Sequence, residues 1–270
     1  MPERRHAIVT GAASGLGRAI CLRLARDGWH IALCDINEAG SQETLERVRA
    51  AGGDGQVELL DVRRPEQWQA LRDKLQATWL RLDLLVNNAG VAGAGEVGAF
   101  SLEDWHWIVD INLWNVIYGC HFFVDWLKRN PQGAHIINTA SLAAVGSVPG
   151  MAGYNVTKAG VLSMSETLYA ELLPHNVGVS VLCPAFFATN LLADSRFVTD
   201  DLIKVARRAF ERAKMTADDV ADAAIGAMQR KRLYVMLPRE GRIAWYLKRL
   251  APAWFMRHTQ RRLRGAAGGD

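Results

Sequence analysis

Tyr154 and Lys158 stand four residues apart, and Ser141 precedes them. In a helix, positions i and i+4 share one face, so a phenol and an ammonium project together there. The ammonium favours the phenolate, which lets the tyrosine act as acid or base nearer neutral pH than a free phenol. A serine hydroxyl close by can hold a carbonyl or alcohol oxygen. Tyr-x-x-x-Lys alone is a weak signal, because it arises by chance on many helices. It gains force here from a glycine-rich turn near the N-terminus.

That turn is Thr10-Gly11-Ala12-Ala13-Ser14-Gly15-Leu16-Gly17, between a strand pattern and a helix pattern. Gly11, Gly15 and Gly17 permit a tight turn and a close approach of phosphates to the backbone. With Ser14 and Leu16 they open a helix whose N-terminus faces the anion. The spacing is G-x-x-x-G-x-G rather than G-x-G-x-x-G. Asp35 ends the next strand pattern, where a carboxylate can accept hydrogen bonds from the adenosine ribose. A carboxylate there repels the extra phosphate of NADP. No Arg or Lys occupies the turn or Ile36, so the expected cofactor is NAD, with NADP second. The bland alternative is that Asp35 merely starts a turn into Asn37. Asp61-Val62 and Asn87-Asn88-Ala89-Gly90 follow two further strand patterns, although a doubled Asn is also ordinary turn chemistry.

Seven short apolar strands are expected: His6–Thr10, Trp29–Cys34, Gln56–Leu60, Leu82–Asn87, Ala134–Thr139, Val177–Leu182 and Leu233–Leu237. Helical spacing separates them, over Arg18–Asp27, Ser41–Ala51, Pro65–Trp79, Leu102–Lys128, Tyr154–Leu173 and Thr216–Arg230. Alternation of this kind predicts an α/β fold of Rossmann type, doubly wound, with a seven-stranded parallel sheet and helices on both faces. One domain over residues 1–238 is expected, followed by a basic extension over 239–270.

The 270 residues are half hydrophobic and about a fifth charged, an ordinary composition for a globular chain. Cys21, Cys34, Cys120 and Cys183 form no C-x-x-C pair and no metal-ligand spacing, so reduced core thiols are expected and no metal. The charged start, Met1 to His6, is unlike a signal peptide, and no apolar run approaches the ~18–20 residues a membrane span needs. A cytoplasmic location follows as the expectation. Of the net charge of +4, the tail from Arg239 onward carries eight Lys/Arg against two acids, so the body is slightly acidic.

Together these motifs resemble the short-chain dehydrogenase/reductase family in its classical form, over roughly residues 6 to 238. The resemblance rests on Thr10 to Gly17, Asp35, Asp61-Val62, Asn87 to Gly90, Asn112, Ser141 and Tyr154-x-x-x-Lys158, in order. It implies Tyr154 as general acid/base, with Lys158 binding the nicotinamide ribose and lowering the tyrosine pKa. Ser141 would bond the substrate oxygen. Asn112 would hold a water in a relay to Lys158; by itself, an Asn at mid-helix reads as a satisfied core group. Val62, Asn88 and Gly90 would line the adenosine side. Phe187 and Thr189 would meet the carboxamide. It also implies a homodimer or homotetramer through the Leu102–Lys128 and Tyr154 helices. Pro184-Ala185 departs from the usual Pro-Gly, and alanine does not adopt positive φ cheaply.

The same resemblance implies that residues 190–215 form a substrate lid. Its apolar residues, with Phe186, Phe187, Val145, Val148, Pro149 and Met151, suggest a lipophilic alcohol or ketone as substrate: steroid-, retinoid- or aryl-alcohol-like. Core packing explains the same residues. Arg242 to Leu250 has helical apolar spacing, and Trp254 and Phe255 follow among arginines. Such a stretch reads as a membrane-surface helix, or as one that packs on the body, lids the site or joins two copies. No nucleic-acid motif accompanies it. The leading expectation is an NAD-dependent dehydrogenase of a secondary alcohol. The alternatives are an NADPH-dependent reductase of an acyl-type ketone and a non-catalytic nucleotide sensor.

Overall fold

Runs such as Ile31-Ala32-Leu33-Cys34 and Leu84-Leu85-Val86 have no polar alternation, so a strand made of them must be covered on both faces. The computed structural model describes residues 4–187, 191, 194–238 and 240–267, with side chains in the last helix as far as Arg261. Both runs are fully buried in it.

The strands are β1 (His6–Thr10), β2 (His30–Asp35), β3 (Asp54–Leu59), β4 (Leu84–Asn87), β5 (Gly93–Ala94), β6 (Ala134–Thr139), β7 (Val177–Pro184), β8 (Arg196–Phe197) and β9 (Tyr234–Leu237). Seven of them form one parallel sheet in the order β3-β2-β1-β4-β6-β7-β9. The order reverses between β1 and β4, and ligands of such sheets bind beyond the carboxyl ends of the strands at that point. The two-residue β5 and β8 pair separately and were not expected.

Helices α1 (Gly15–Ala25), α2 (Glu38–Ala50) and α9 (Ala217–Gln229) cover one face, through Leu24, Val48 and Val220 among others. Helices α3 (Pro65–Gln76), α5 (Asn115–Lys128) and α7 (Ala152–Leu172) cover the other, through Trp68, Phe123 and Val161. Pro65 stands at the start of α3, and α9 opens on a capping box between Thr216 and Asp219.

The long aromatic helix expected over 102–128 is interrupted. Helix α4 (Leu102–Val109) leads through a π-helical turn, Asp110–Trp114, into α5. Asn112 lies in that turn and is fully buried. Its Oδ1 accepts from the Val91 N–H at 2.8 Å and its Nδ2 donates to the Val91 carbonyl at 2.9 Å. A buried amide must be paired, and the wider turn is what aims this one at a loop.

Short α6 (Ala143–Gly146) follows Ser141, and α8 (Asp200–Glu211) lies within the region expected as a lid. The tail comprises α10 (Gly241–Leu250) and α11 (Pro252–Ala267), divided at Pro252 as expected. No described helix is long and apolar enough to cross a membrane.

Candidate active site

Strand β1 delivers the glycine-rich turn. Gly11 and Gly15 have φ of +68° and +52°, a region that L side chains avoid. A Cβ on Gly17 would stand 1.9 Å from the Gly11 carbonyl oxygen and 2.8 Å from Asn88 Nδ2. The turn therefore folds back on itself and against the loop after β4. Ser14 is the N-cap of α1 but its side chain makes no cap bond, and the first turn of α1 carries no acid. Leu16 is buried in the core, so it presents only backbone. These features fit a backbone cradle for a pyrophosphate.

Asp35 closes β2, as expected. Its Oδ2 accepts from the Ala13 N–H at 3.0 Å and its Oδ1 from the Asn37 N–H at 2.9 Å. The carboxylate is thus fixed against the turn. Arg18, on α1, donates to the Ala13 carbonyl at 2.6 Å and also engages Glu43 at 2.8 Å and Thr44 at 2.9 Å.

Asp61 and Val62 lie just past β3, which ends at Leu59. Arg63 grips the Asp61 carboxylate at 2.7 Å and, as hydrogen-bond partner, holds its pKa below the usual carboxylate range. Val62 turns its side chain into the core. Asn88 donates from Nδ2 to the Thr10 carbonyl at 2.9 Å. Gly90 lies between the two halves of the site. A Cβ there would be 3.0 Å from Asn112 Oδ1 and 3.3 Å from Lys158 Nζ.

Helix α7 begins two residues before Tyr154, so Tyr154 and Lys158 both point inward from its first turns. Lys158 Nζ lies 5.7 Å from the centre of the Tyr154 ring and donates to the Thr139 carbonyl at 2.9 Å. Burial pushes the Lys158 pKa down to about 8. Burial also raises the Tyr154 pKa, while a hydrogen bond with Ser141 works the other way. The expected lowering by lysine does not prevail in this form. Ser141 Oγ accepts from the Ala143 N–H at 3.1 Å.

The structure thus brings Asn112, Ser141, Tyr154, Lys158 and Gly90 to one place at the carboxyl edge of β4 and β6. Around the phenol lies an apolar cluster of Ala92, Phe100 and Ile108, with Trp105, Met151 and Leu191 packed against it. Val145, expected in the pocket wall, packs instead into the main core. Phe187 is buried in the core on the α9 side. Thr189 lies outside the described residues, as do Asn190 and Leu192 of the lid. Ala185 is not among the described residues with positive φ, so the departure from Pro-Gly strains nothing.

Sequence reasoning missed three supports. Thr10 Oγ1 accepts from the N–H groups of Asn88 and Ala89 at 2.9 and 3.0 Å, tying the turn to the β4 loop. Asn115 donates to the Ala89 carbonyl at 2.8 Å. Arg196 bridges from β8 to Asp104 of α4 at 2.7 Å and covers the Trp107 ring at 4.5 Å. Only Thr10, placed inside the turn motif, left a signal in the sequence.

A family model described as short chain dehydrogenase matches residues 5–197. The chain is 32% identical over 252 residues to the probable oxidoreductase EphD of Mycobacterium tuberculosis, covering 90% of this chain and 43% of that protein. It therefore spans less than half the length of that relative. It is 32% identical over 231 residues to the 1-deoxy-11-beta-hydroxypentalenate dehydrogenase of Streptomyces avermitilis, covering 85% of this chain and 83% of that one. A crystal structure of a short chain dehydrogenase/reductase from Burkholderia phymatum in complex with NAD matches with a TM-score of 0.84 at 32% identity, over 92% of this chain and 93% of that one. With the sheet order, the turn and the Ser141–Tyr154–Lys158 group already in place, these likenesses establish that the chain belongs to the short-chain dehydrogenase family.

Proposed function

We propose that this chain is an NAD-dependent oxidoreductase that exchanges hydride with a lipophilic secondary alcohol or its ketone. The observation that carries the reading is the setting of Tyr154: a buried phenol beside Lys158 and Ser141, facing an apolar cluster built on Phe100 and Ile108. Such a surface favours an apolar carbon skeleton around the reacting oxygen.

In this reading the cofactor lies along Gly11, Ser14, Gly15, Leu16 and Gly17, with its ribose at Asp35. Asp61, Val62 and Asn88 line the adenosine side, Gly90 meets the cofactor where that side adjoins Lys158, and Phe187 and Thr189 line the nicotinamide side. The bound nicotinamide supplies the hydride acceptor. Tyr154 Oη takes the proton of the substrate hydroxyl during oxidation and returns it during reduction. Ser141 Oγ orients that oxygen. Lys158 holds the nicotinamide ribose and, while protonated, favours the phenolate. Asn112 anchors the Val91 backbone and is the proposed holder of a relay water.

The preference for NAD over NADP is supported by the fixed Asp35 carboxylate and by the engagement of Arg18 with Glu43. A homodimer or homotetramer is proposed across the α4–α5 and α7 surfaces, where Trp114 and Val156 are exposed. Phe123 and Trp126, on the same α5, belong to the core. The described cysteines are all free and buried, in keeping with the proposed cytoplasmic location.

The test is NAD reduction, read by nucleotide absorbance, against steroid, long-chain, aryl and small polyol alcohols, with NADP in parallel. Turnover of a bulky apolar alcohol with NAD is expected. Tyr154→Phe should lower it by about 10²–10⁴-fold while NAD binding persists. Activity confined to NADP or to polyols overturns the reading, and NAD binding without turnover on any alcohol favours a nucleotide sensor.

A further inference from the structure

Helix α10 is mounted inside out. Gly241, Ala244, Trp245 and Lys248 share the face turned to the body. A Cβ on Gly241 would meet Leu142 at 2.7 Å, Trp245 packs on Tyr234 at 4.8 Å, and Lys248 Nζ donates to Ser147 Oγ at 2.6 Å. The opposite face carries Ile243, Tyr246, Leu247 and Leu250, at i, i+3, i+4 and i+7, and all four are exposed. An amphipathic surface helix ordinarily turns such a stripe to the core. Here Leu250 is 83% exposed and Ile243 61%. Trp254, at the start of α11, adds a half-exposed indole.

The charge around the stripe is predominantly positive, although the N-cap of α10 is an exposed acid, Glu240. From Gly241 to Arg261 there are five Lys/Arg and no Asp or Glu. Arg242 and Arg249 are exposed beside the stripe, and Arg257 and Arg261 are exposed on α11. A second copy of the same face would bring like charges together, which disfavours self-pairing. A lipid surface with anionic headgroups satisfies both halves: the stripe enters the acyl boundary and the arginines meet the phosphates.

We propose that the outward face of α10, with Trp254, is a docking surface for anionic membranes. It holds the chain at the bilayer without spanning it. Because α10 seats on Leu142 and Ser147, the docked face adjoins the segment that follows Ser141.

The test uses the full chain in flotation with vesicles of phosphatidylcholine containing about 30 mol % phosphatidylglycerol, against phosphatidylcholine alone. Binding to the anionic vesicles is expected, at least about tenfold stronger than to the neutral ones and weakening as salt rises. Leu247→Gln with Leu250→Gln should lose it about tenfold or more, with melting temperature and alcohol turnover unchanged, since both residues point away from the body. Arg242→Gln with Arg249→Gln should abolish the preference for anionic vesicles. Absence of flotation with either vesicle overturns the proposal, as does flotation unaffected by the leucine changes. A sedimentation coefficient that falls on the leucine changes, without vesicle binding, assigns the face to a contact between copies instead. The assay reads binding without turnover, so its outcome is separate from that of the proposed activity.

Discussion

Lys158 Nζ donates to the Thr139 carbonyl oxygen at 2.9 Å, so the last residue of β6 holds an ammonium carried by α7. One carbonyl does not replace the hydration of a cation, and burial lowers the lysine pKa to about 8. The unfolded chain keeps that proton up to about 10.5, and the folded chain releases it near 8. Between those values the unfolded state binds more protons, so this group makes stability rise with pH. Four buried cysteines and Tyr154 have raised pKa values and act in the opposite sense at high pH. Comparison with Lys158→Met cancels those that do not feel the lysine, which leaves out Cys183, whose pKa Lys158 lowers. The stability of the parent relative to the variant should rise by about 3 kcal/mol from pH 7 to pH 10.5 in denaturant titrations without cofactor. A flat difference would show the lysine to be well solvated.

The turn has almost no room at Gly17. An alanine there would place its Cβ against the Gly11 carbonyl, which is backbone and cannot swing away. Gly17→Ala should cost about 1–3 kcal/mol and reduce NAD affinity more than tenfold, read by thermal shift with and without NAD. Retention of parental affinity would mean that the turn does not cradle the phosphates.

Gly90 tests the other half of the site. Its added methyl would press on Asn112 Oδ1 and Lys158 Nζ, the second of which is the end of a flexible chain. Gly90→Ala should therefore fold, melt within about 1 kcal/mol of the parent, and lose turnover by about tenfold or more through a displaced lysine. Unchanged kcat would separate Gly90 from the chemistry.

Asp35 holds the N–H groups of Ala13 and Asn37, so its removal changes both charge and turn. Asp35→Asn retains the shape and removes the charge. The ratio of kcat/KM for NAD to that for NADP should fall by at least about tenfold, measured with one alcohol. An unchanged ratio would refute the carboxylate as the discriminator.

Arg196 closes the lid region onto α4, through Asp104 at 2.7 Å and the Trp107 face at 4.5 Å. Trp107 in turn packs against the apolar cluster around the phenol. Arg196→Ala should raise KM for the alcohol several-fold with kcat within about twofold, because it loosens the wall without moving Tyr154. A loss confined to kcat would place Arg196 nearer the reacting atoms than its contacts imply.

Much of this was legible along the chain. The strands are short apolar runs separated by helical spacing, and their pattern is local. So are the glycines of the turn, the carboxylate that closes β2 and the four-residue step from Tyr154 to Lys158. The π-helical turn at Asn112 was not legible, because the amide it aims pairs with the Val91 backbone, a partner distant in sequence. The latch of Arg196 on Asp104 depends in the same way on a contact across 92 positions. Nor could spacing tell in which direction Tyr154 and Lys158 are shifted, since desolvation depends on what the rest of the fold packs around them. The tail shows the division most clearly. Its residues determined an amphipathic helix with arginines beside an apolar stripe. Only the tertiary structure decided that the stripe faces outward, because the seat at Gly241, Trp245 and Lys248 is made with Leu142, Tyr234 and Ser147. The orientation of a helix is set by the surface it meets, and no helix carries that surface in its own sequence.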